Sequence, residues 1–203
     1  MTLTEAVKKI EEKFLSDVLD KKEFRSEQTL SVTTERLHDV ACFCRDELGF
    51  NMLLDVSSVD HFGEEARFEI VYQLYSLSDH IALRLKCRLP EFNPKIPTVN
   101  DLWPTANWHE REVYDMMGIT FEGHPDLRRI LMWDGYPYFP LRKDFPLEGK
   151  SSEMPDVAFS AEAPLQGGPF VTVPSSGNTQ VREPRHRSLE DQYQLKERFI
   201  LEP

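Results

Sequence analysis

The chain predicts an α+β fold: an antiparallel sheet with helices packed on one side, followed by an irregular extended C-terminal tail. Three features carry that prediction. Apolar residues recur at three- and four-residue steps near the start; several later segments alternate apolar and polar residues; and periodicity ends where Pro, Ser and Gly accumulate. The expected domains are an α+β body over residues 1–150 and a partner-binding tail over residues 151–203. At 203 residues, one ordinary domain with a real core plus extra length is accommodated.

Leu3, Val7, Ile10, Phe14 and Val18, with Lys, Glu and Asp between them, read as one amphipathic helix. QTLSVT (28–33) reads as a short strand. A second helix is expected after Thr33 or Thr34 as N-cap, running to Gly49 past its end, with Leu37, Val40, Ala41, Cys44 and Leu48 on one face. Strands are expected at 51–59, 66–77 and 80–89. The last places Ile81, Leu83, Leu85, Cys87 and Leu89 on one face and Arg84, Lys86 and Arg88 on the other. One buried and one solvated face suggests antiparallel pairing, and the short connections suggest a meander. PEFNPKIPTV (90–99), with three prolines, should break regular structure. SLEDQYQLKERFIL near the C-terminus is expected to form a last short helix.

The formal net charge of −11 excludes a general nucleic-acid binder and direct adhesion to an anionic bilayer, because no basic surplus is present. No apolar run approaches a membrane span, and MTLTEAVKKIEEKF lacks the apolar core of a secretory signal. Three cysteines, Cys42, Cys44 and Cys87, form no disulfide framework, so a reducing compartment is expected, with the thiols serving as small hydrophobes.

The densest chemistry lies in NWHEREVYDMMGITFEGH (107–124). Thr105 or Asn107 can cap a helix that ends at Gly118. Ala106, Val113, Met116 and Met117 then share one side, with Arg111, Glu112 and Asp115 opposite and Arg111 one turn from Asp115. Glu110 falls beside the apolar stripe, where it must snorkel, find a cation or bear a desolvation cost. A metal site is excluded by spacing: His109 is followed at the next turn by Val113, and His124 lies past the helix. No phosphate-binding glycine loop, dinucleotide fingerprint or nucleophile elbow occurs. General acid–base use of Glu110, Glu112 and Asp115 stays open, against the simpler reading of an ion-pair network. Trp103, Trp108, Trp133, Tyr136, Tyr138, Phe139 and Phe145, interleaved with Arg128, Arg129, Arg142 and Lys143, suit a docking surface.

At this point the chain resembles a known family. Glu110-Arg111-Glu112, Asp115 with Met116-Met117, His124, and Arg128 with Ile130-Leu131 are similar in order and spacing to the signature of the 30 kDa subunit of respiratory complex I, the NADH–quinone oxidoreductase. Pro140-Leu141-Arg142-Lys143-Asp144-Phe145-Pro146-Leu147 resembles that family's second motif. Tyr136-Pro137-Tyr138-Phe139 departs from its usual shorter lead-in. The resemblance implies a non-catalytic scaffold subunit without cofactor or metal, FMN and iron–sulfur clusters being held by partners. It implies docking to the quinone-site subunit and to other peripheral-arm subunits, on the cytoplasmic side of a bacterial inner membrane, with membrane contact only through partners. Trp108, Glu110, Arg111, Glu112, Asp115, His124, Arg128, Arg129, Arg142, Lys143 and Asp144 become interface or internal-scaffold candidates. Related subunits of energy-converting hydrogenases and other membrane-bound dehydrogenases share the pattern, and a stand-alone hydrolase or free binding module is the remaining alternative.

Overall fold

A computed structural model describes residues 1–133 and 135–147. The compact body runs from Met1 to Phe145, and a second unit from Pro146 to Pro203. The expected tail over 151–203 and its last helix lie outside the described residues.

Helix α1 (Leu3–Lys13) opens with a capping box. The Glu5 amide donates to the Thr2 hydroxyl, and the Thr2 amide donates to the Glu5 carboxylate. It buries Ala6, Val7 and Ile10 and ends at Phe14. Val18, read as the helix's last apolar position, instead begins strand β1 (Val18–Phe24), after a turn in which the Asp17 and Val18 amides both donate to the Phe14 carbonyl. β1 is an edge strand, exposed beyond Val18, so it buries no alternating face and its sequence carries no strand pattern. Its hairpin to β2 (Glu27–Val32) turns through Arg25 and Ser26, both at positive φ without a glycine.

A 3₁₀ turn at Thr34–Arg36 leads into α2 (Leu37–Asp46), and Thr33 makes no side-chain cap. Gly49 sits in the left-handed region as expected. Strands β3 (Met52–Asp60), β4 (Phe68–Ser76) and β5 (Ile81–Leu89) follow within two residues of the expected bounds. The sheet order is β1-β2-β5-β4-β3. Three pairs are antiparallel; β2 and β5 pair in parallel, Leu30 opposite Leu85. The sheet is therefore mixed, where an antiparallel one was expected. The reason is topological: α2 carries the chain back across the sheet, so β3 starts in the direction of β2, and two hairpins then bring β5 alongside β2. Alternation reports which face is buried, not which way a strand runs.

One sheet face is the core. Leu30, Val32, Phe68, Ile70, Tyr72, Leu74, Leu83, Leu85, Cys87 and Leu89 join the inner faces of the three helices in one cluster. The proline-rich stretch is not wholly irregular: β6 (Lys95–Pro97) pairs in parallel with β7 (Thr120–Glu122), immediately after α3 (Ala106–Met117). Cys44 and Cys87 are buried free thiols, and Cys42 is half-buried.

Candidate functional site

Helix α3 carries two fully buried carboxylates five residues apart, Glu110 and Asp115. Both are enclosed by segments outside the helix: residues 98–99 reach Glu110 beside the apolar stripe, and residues 129–132 cover Asp115 on the face that periodicity assigned to solvent. Thr105 occupies the cap position without a side-chain cap, its hydroxyl instead reaching the Leu53 carbonyl at 3.5 Å. Gly118 ends the helix at φ 72°, as expected.

Asp115 organises the segment that follows β7. Its Oδ1 accepts from Arg129 Nη1 at 2.5 Å, and its Oδ2 accepts the amides of Ile130, Leu131 and Met132 at 3.0, 2.7 and 2.8 Å. Burial alone would raise its pKa. The Met132 amide, Arg129 and the amides of Leu131 and Ile130 outweigh that and hold it below the usual carboxylate range. The expected Arg111–Asp115 pair does not form. Arg111 donates to the carbonyls of Arg128 and Arg129 at 3.2 Å each and stacks on Trp108. Arg129 also binds the carbonyls of Tyr136 and Tyr138. One carboxylate and two arginines thus bolt residues 128–138 across α3.

The second motif is locked to both ends of this arrangement. Arg142 lies between the Phe68 and Phe139 rings and donates to the Met117 carbonyl at 2.6 Å. The Leu141 amide donates to the Met116 carbonyl. Asp144 bonds Arg67, a buried arginine that also holds Asp60 through two 2.8 Å hydrogen bonds and Glu91 at 2.9 Å. The Lys143 amide completes Asp60, while the Lys143 side chain is exposed. A Cβ at Gly118 would lie 2.6 Å from Arg142 Nη2 and from the Phe139 ring. Gly118→Ala is therefore expected to cost about 1–2 kcal/mol from the left-handed backbone alone, and more from displacing Arg142 and Phe139. A chemical-denaturation midpoint equal to that of the unsubstituted chain would refute this.

Glu110 takes neither escape open to it. It does not snorkel, and no Lys or Arg touches it among the described residues. Its Oε1 accepts the Val99 amide at 2.8 Å and its Oε2 the Thr98 hydroxyl at 2.5 Å. Burial pushes the carboxyl up to about 7, against the pull of those two bonds. Glu112 is exposed. The three carboxylates of the hydrolase alternative thus point to three different places: Glu110 to residues 98–99, Asp115 to residues 129–132, and Glu112 to solvent. The depression lined by His38, Thr98, Asp101 and Glu122 includes none of them. Among the described residues no group of three His, Cys, Asp or Glu side chains is set to hold a metal ion.

Of the residues singled out from sequence, Glu110, Arg111, Asp115, His124, Arg129, Arg142 and Asp144 find partners within the chain. Trp108 is 63% exposed, and Leu131 and Leu141 are each 58% exposed. Glu112, Lys143 and Arg128, the last paired with Asp126, also face solvent. Of the aromatics, Trp103 belongs to the core, its indole donating to the Phe50 carbonyl. Trp133, Tyr136, Tyr138 and Phe145 form a chain of neighbouring rings. Sequence reasoning missed Asp60, Arg67 and Thr98. A lone Arg67 at the mouth of a strand gave one usable signal, since a charge entering an apolar run needs a partner.

Comparison with known proteins follows the same segments. The family described as the respiratory-chain NADH dehydrogenase 30 kDa subunit matches residues 30–151. An NADH-quinone oxidoreductase subunit of Geobacter sulfurreducens is 48% identical over 149 residues, 73% of this chain and 92% of that one. A trypsin-resistant fragment of Nqo5 superposes with a TM-score of 0.56 at 33% identity, covering 63% of this chain and all of the fragment. A structure of the membrane-bound sulfane sulfur reductase, an archaeal respiratory membrane complex, contains a chain with a TM-score of 0.62 and 29% identity, covering 71% of this chain and 85% of that one. The segments that the buried charges tie together lie within the matched residues 30–151, and this chain belongs to the 30 kDa subunit family of the respiratory-chain NADH dehydrogenase.

Proposed function

We propose that this chain is a scaffold subunit of the peripheral arm of a proton-translocating NADH–quinone oxidoreductase, where it docks to and positions the subunit that holds the quinone site. It works on the cytoplasmic side of a bacterial inner membrane. It supports electron transfer from NADH to quinone without performing it, FMN and iron–sulfur clusters being carried by partner subunits. No helix of the described residues is long and apolar enough to cross a membrane. In this reading, membrane contact runs through the partners, and the tail over 151–203 extends the docking surface.

The observation that carries this reading is the division of labour along α3. Glu110 and Asp115 are engaged by residues of the same chain, and among the described residues the segments held there leave Trp108, Leu131 and Leu141 exposed. A rigid platform presenting a large indole beside polar groups is the chemistry of an interface anchor. Trp108→Ala is expected to weaken co-purification with the co-expressed quinone-site subunit by roughly 30-fold or more, a loss of about 2 kcal/mol, with an unchanged thermal midpoint because the ring is mostly exposed. Unchanged affinity would overturn Trp108 as the anchor, and failure of the unsubstituted chain to bind the quinone-site subunit would overturn the proposal. Truncation after Lys150 should weaken binding; equal binding would remove the tail from the interface.

The likeness to a chain of the sulfane sulfur reductase complex supports a second reading, a related subunit serving another electron donor. Recovery of the intact complex from native membranes separates the two: NADH oxidation by the isolated assembly supports the first reading, and its absence with the partners present supports the second.

A further inference from the structure

Glu110, one of the two buried carboxylates of α3, lies beside His124, and both side chains are completely buried. His124 Nδ1 lies 3.0 Å from the Asp126 amide, and its Nε2 lies 3.2 Å from the Asn107 carbonyl. A backbone N–H can only donate, so Nδ1 must be unprotonated. A carbonyl can only accept, so Nε2 must carry the proton. The hydrogen bonds therefore fix His124 as the neutral Nε2–H tautomer. It stands 3.9 Å from Glu110 Oε2, too far for a hydrogen bond and without a charge to offer.

The other groups facing this cluster do not neutralise Glu110. Arg111, next to it on α3, is engaged by two carbonyls and Trp108. Asp101, on the 98–101 segment and hydrogen-bonded to His38 of α2, pushes the Glu110 pKa upward. Tyr72, from β4, is buried with no hydrogen-bond partner for its hydroxyl among the described residues, and Asp126 lies beyond His124 in the turn. A carboxylate here is thus a buried anion with two neutral donors, which is costly. The neutral carboxyl keeps both contacts. Oε1 still accepts from Val99, and Oε2–H can donate to the Thr98 oxygen, which already accepts the Asn100 amide at 3.1 Å.

We propose that Glu110 and Thr98, beside the fixed neutral His124, form an internal proton-binding lock: with the carboxyl protonated, residues 98–101 are held on α3, and release of the proton loosens them. The change falls in the neutral range, because burial places the Glu110 carboxyl at about 7. The folded-state value is raised, so its contribution to the hold is complete below the ordinary glutamate value and is lost as pH rises to about 7.

Hydrogen exchange on the full chain across neutral pH, corrected for intrinsic rates, reads the lock at the Val99 and Asn100 amides. Their protection should fall by about tenfold per pH unit between the ordinary glutamate value and about 7, then level off. Glu110→Gln should flatten that dependence. A pH dependence that survives in Glu110→Gln, or none in the unsubstituted chain, overturns the lock. Because the glutamine variant can also fail to fold, carbon-13 titration of the Glu110 carboxyl in the unsubstituted chain provides an independent measurement. A midpoint near neutrality with His124 remaining the Nε2–H tautomer supports the proposal. An ordinary carboxylate midpoint, or imidazolium formation at His124 over the same range, refutes it.

Discussion

Asp115→Ala is expected to lower the unfolding free energy by about 3–5 kcal/mol, the usual cost of leaving one member of a buried ion pair alone. For a chain of this size that is a fall in thermal midpoint on the order of 10 °C. The loss is large because Asp115 is completely buried and satisfies four donors at once: Arg129 and the amides of Ile130, Leu131 and Met132. Without it, a nearly buried guanidinium and three amides lose their acceptor. Asp115→Asn tests the charge separately from the shape, since its amide nitrogen would face further donors. The pKa of Asp115 in the folded chain is depressed. Its contribution is therefore present above the ordinary aspartate value and disappears as pH falls through the lower folded-state value. Urea unfolding of Asp115→Ala and the unsubstituted chain at neutral pH measures the difference, and a change below about 1 kcal/mol would refute the assignment.

Arg67→Met is expected to be comparably severe, again about 3–5 kcal/mol. Arg67 is 3% exposed and holds Asp60, Glu91 and Asp144 together. Its loss leaves Asp60 buried with only the Lys143 amide, and sets three carboxylates near one another without the cation between them. Asp60 is held below the usual range chiefly by Arg67. Asp144, which burial would raise, is brought down by the same arginine. Both depressed values place stability above the ordinary aspartate value and remove it on acidification. The variant should therefore lose most at neutral pH, and its stability should depend less on pH on the acid side. A stability loss that is constant from neutral to acid would show that packing of the side chain, not its charge, is what matters. The variant should also release the second motif, since Asp144 loses its internal partner. Limited proteolysis between Tyr138 and Phe145 would detect this as faster cleavage than in the unsubstituted chain.

Much of the architecture could be read from periodicity. Residues that repeat at helical or strand spacing ended up in the core, because burying one stripe of a helix or one face of a sheet leaves a pattern along the chain. Two features could not be read in this way. β1 buries almost nothing, so nothing in VLDKKEF distinguishes it from the helix before it. The parallel pairing of β2 with β5 depends on how many times the chain reverses between them, a quantity that local pattern does not contain.

The charges of α3 show the same division. Sequence alone determined that this stretch is a helix ended by Gly118 and that Glu110 sits at an odd position beside the apolar stripe. Arg111 was nevertheless paired with the wrong partner, because the intrahelical choice was Asp115 while the carbonyls of residues 128 and 129 come from another segment. Only the tertiary structure decided that Asp115 stays charged and Glu110 is driven toward neutrality. A carboxylate's state depends on which donors reach it through space: Arg129 and three amides converge on one, and a hydroxyl, one amide and a neutral imidazole surround the other. Those donors lie 11 to 17 residues away along the chain, beyond the reach of any helical period.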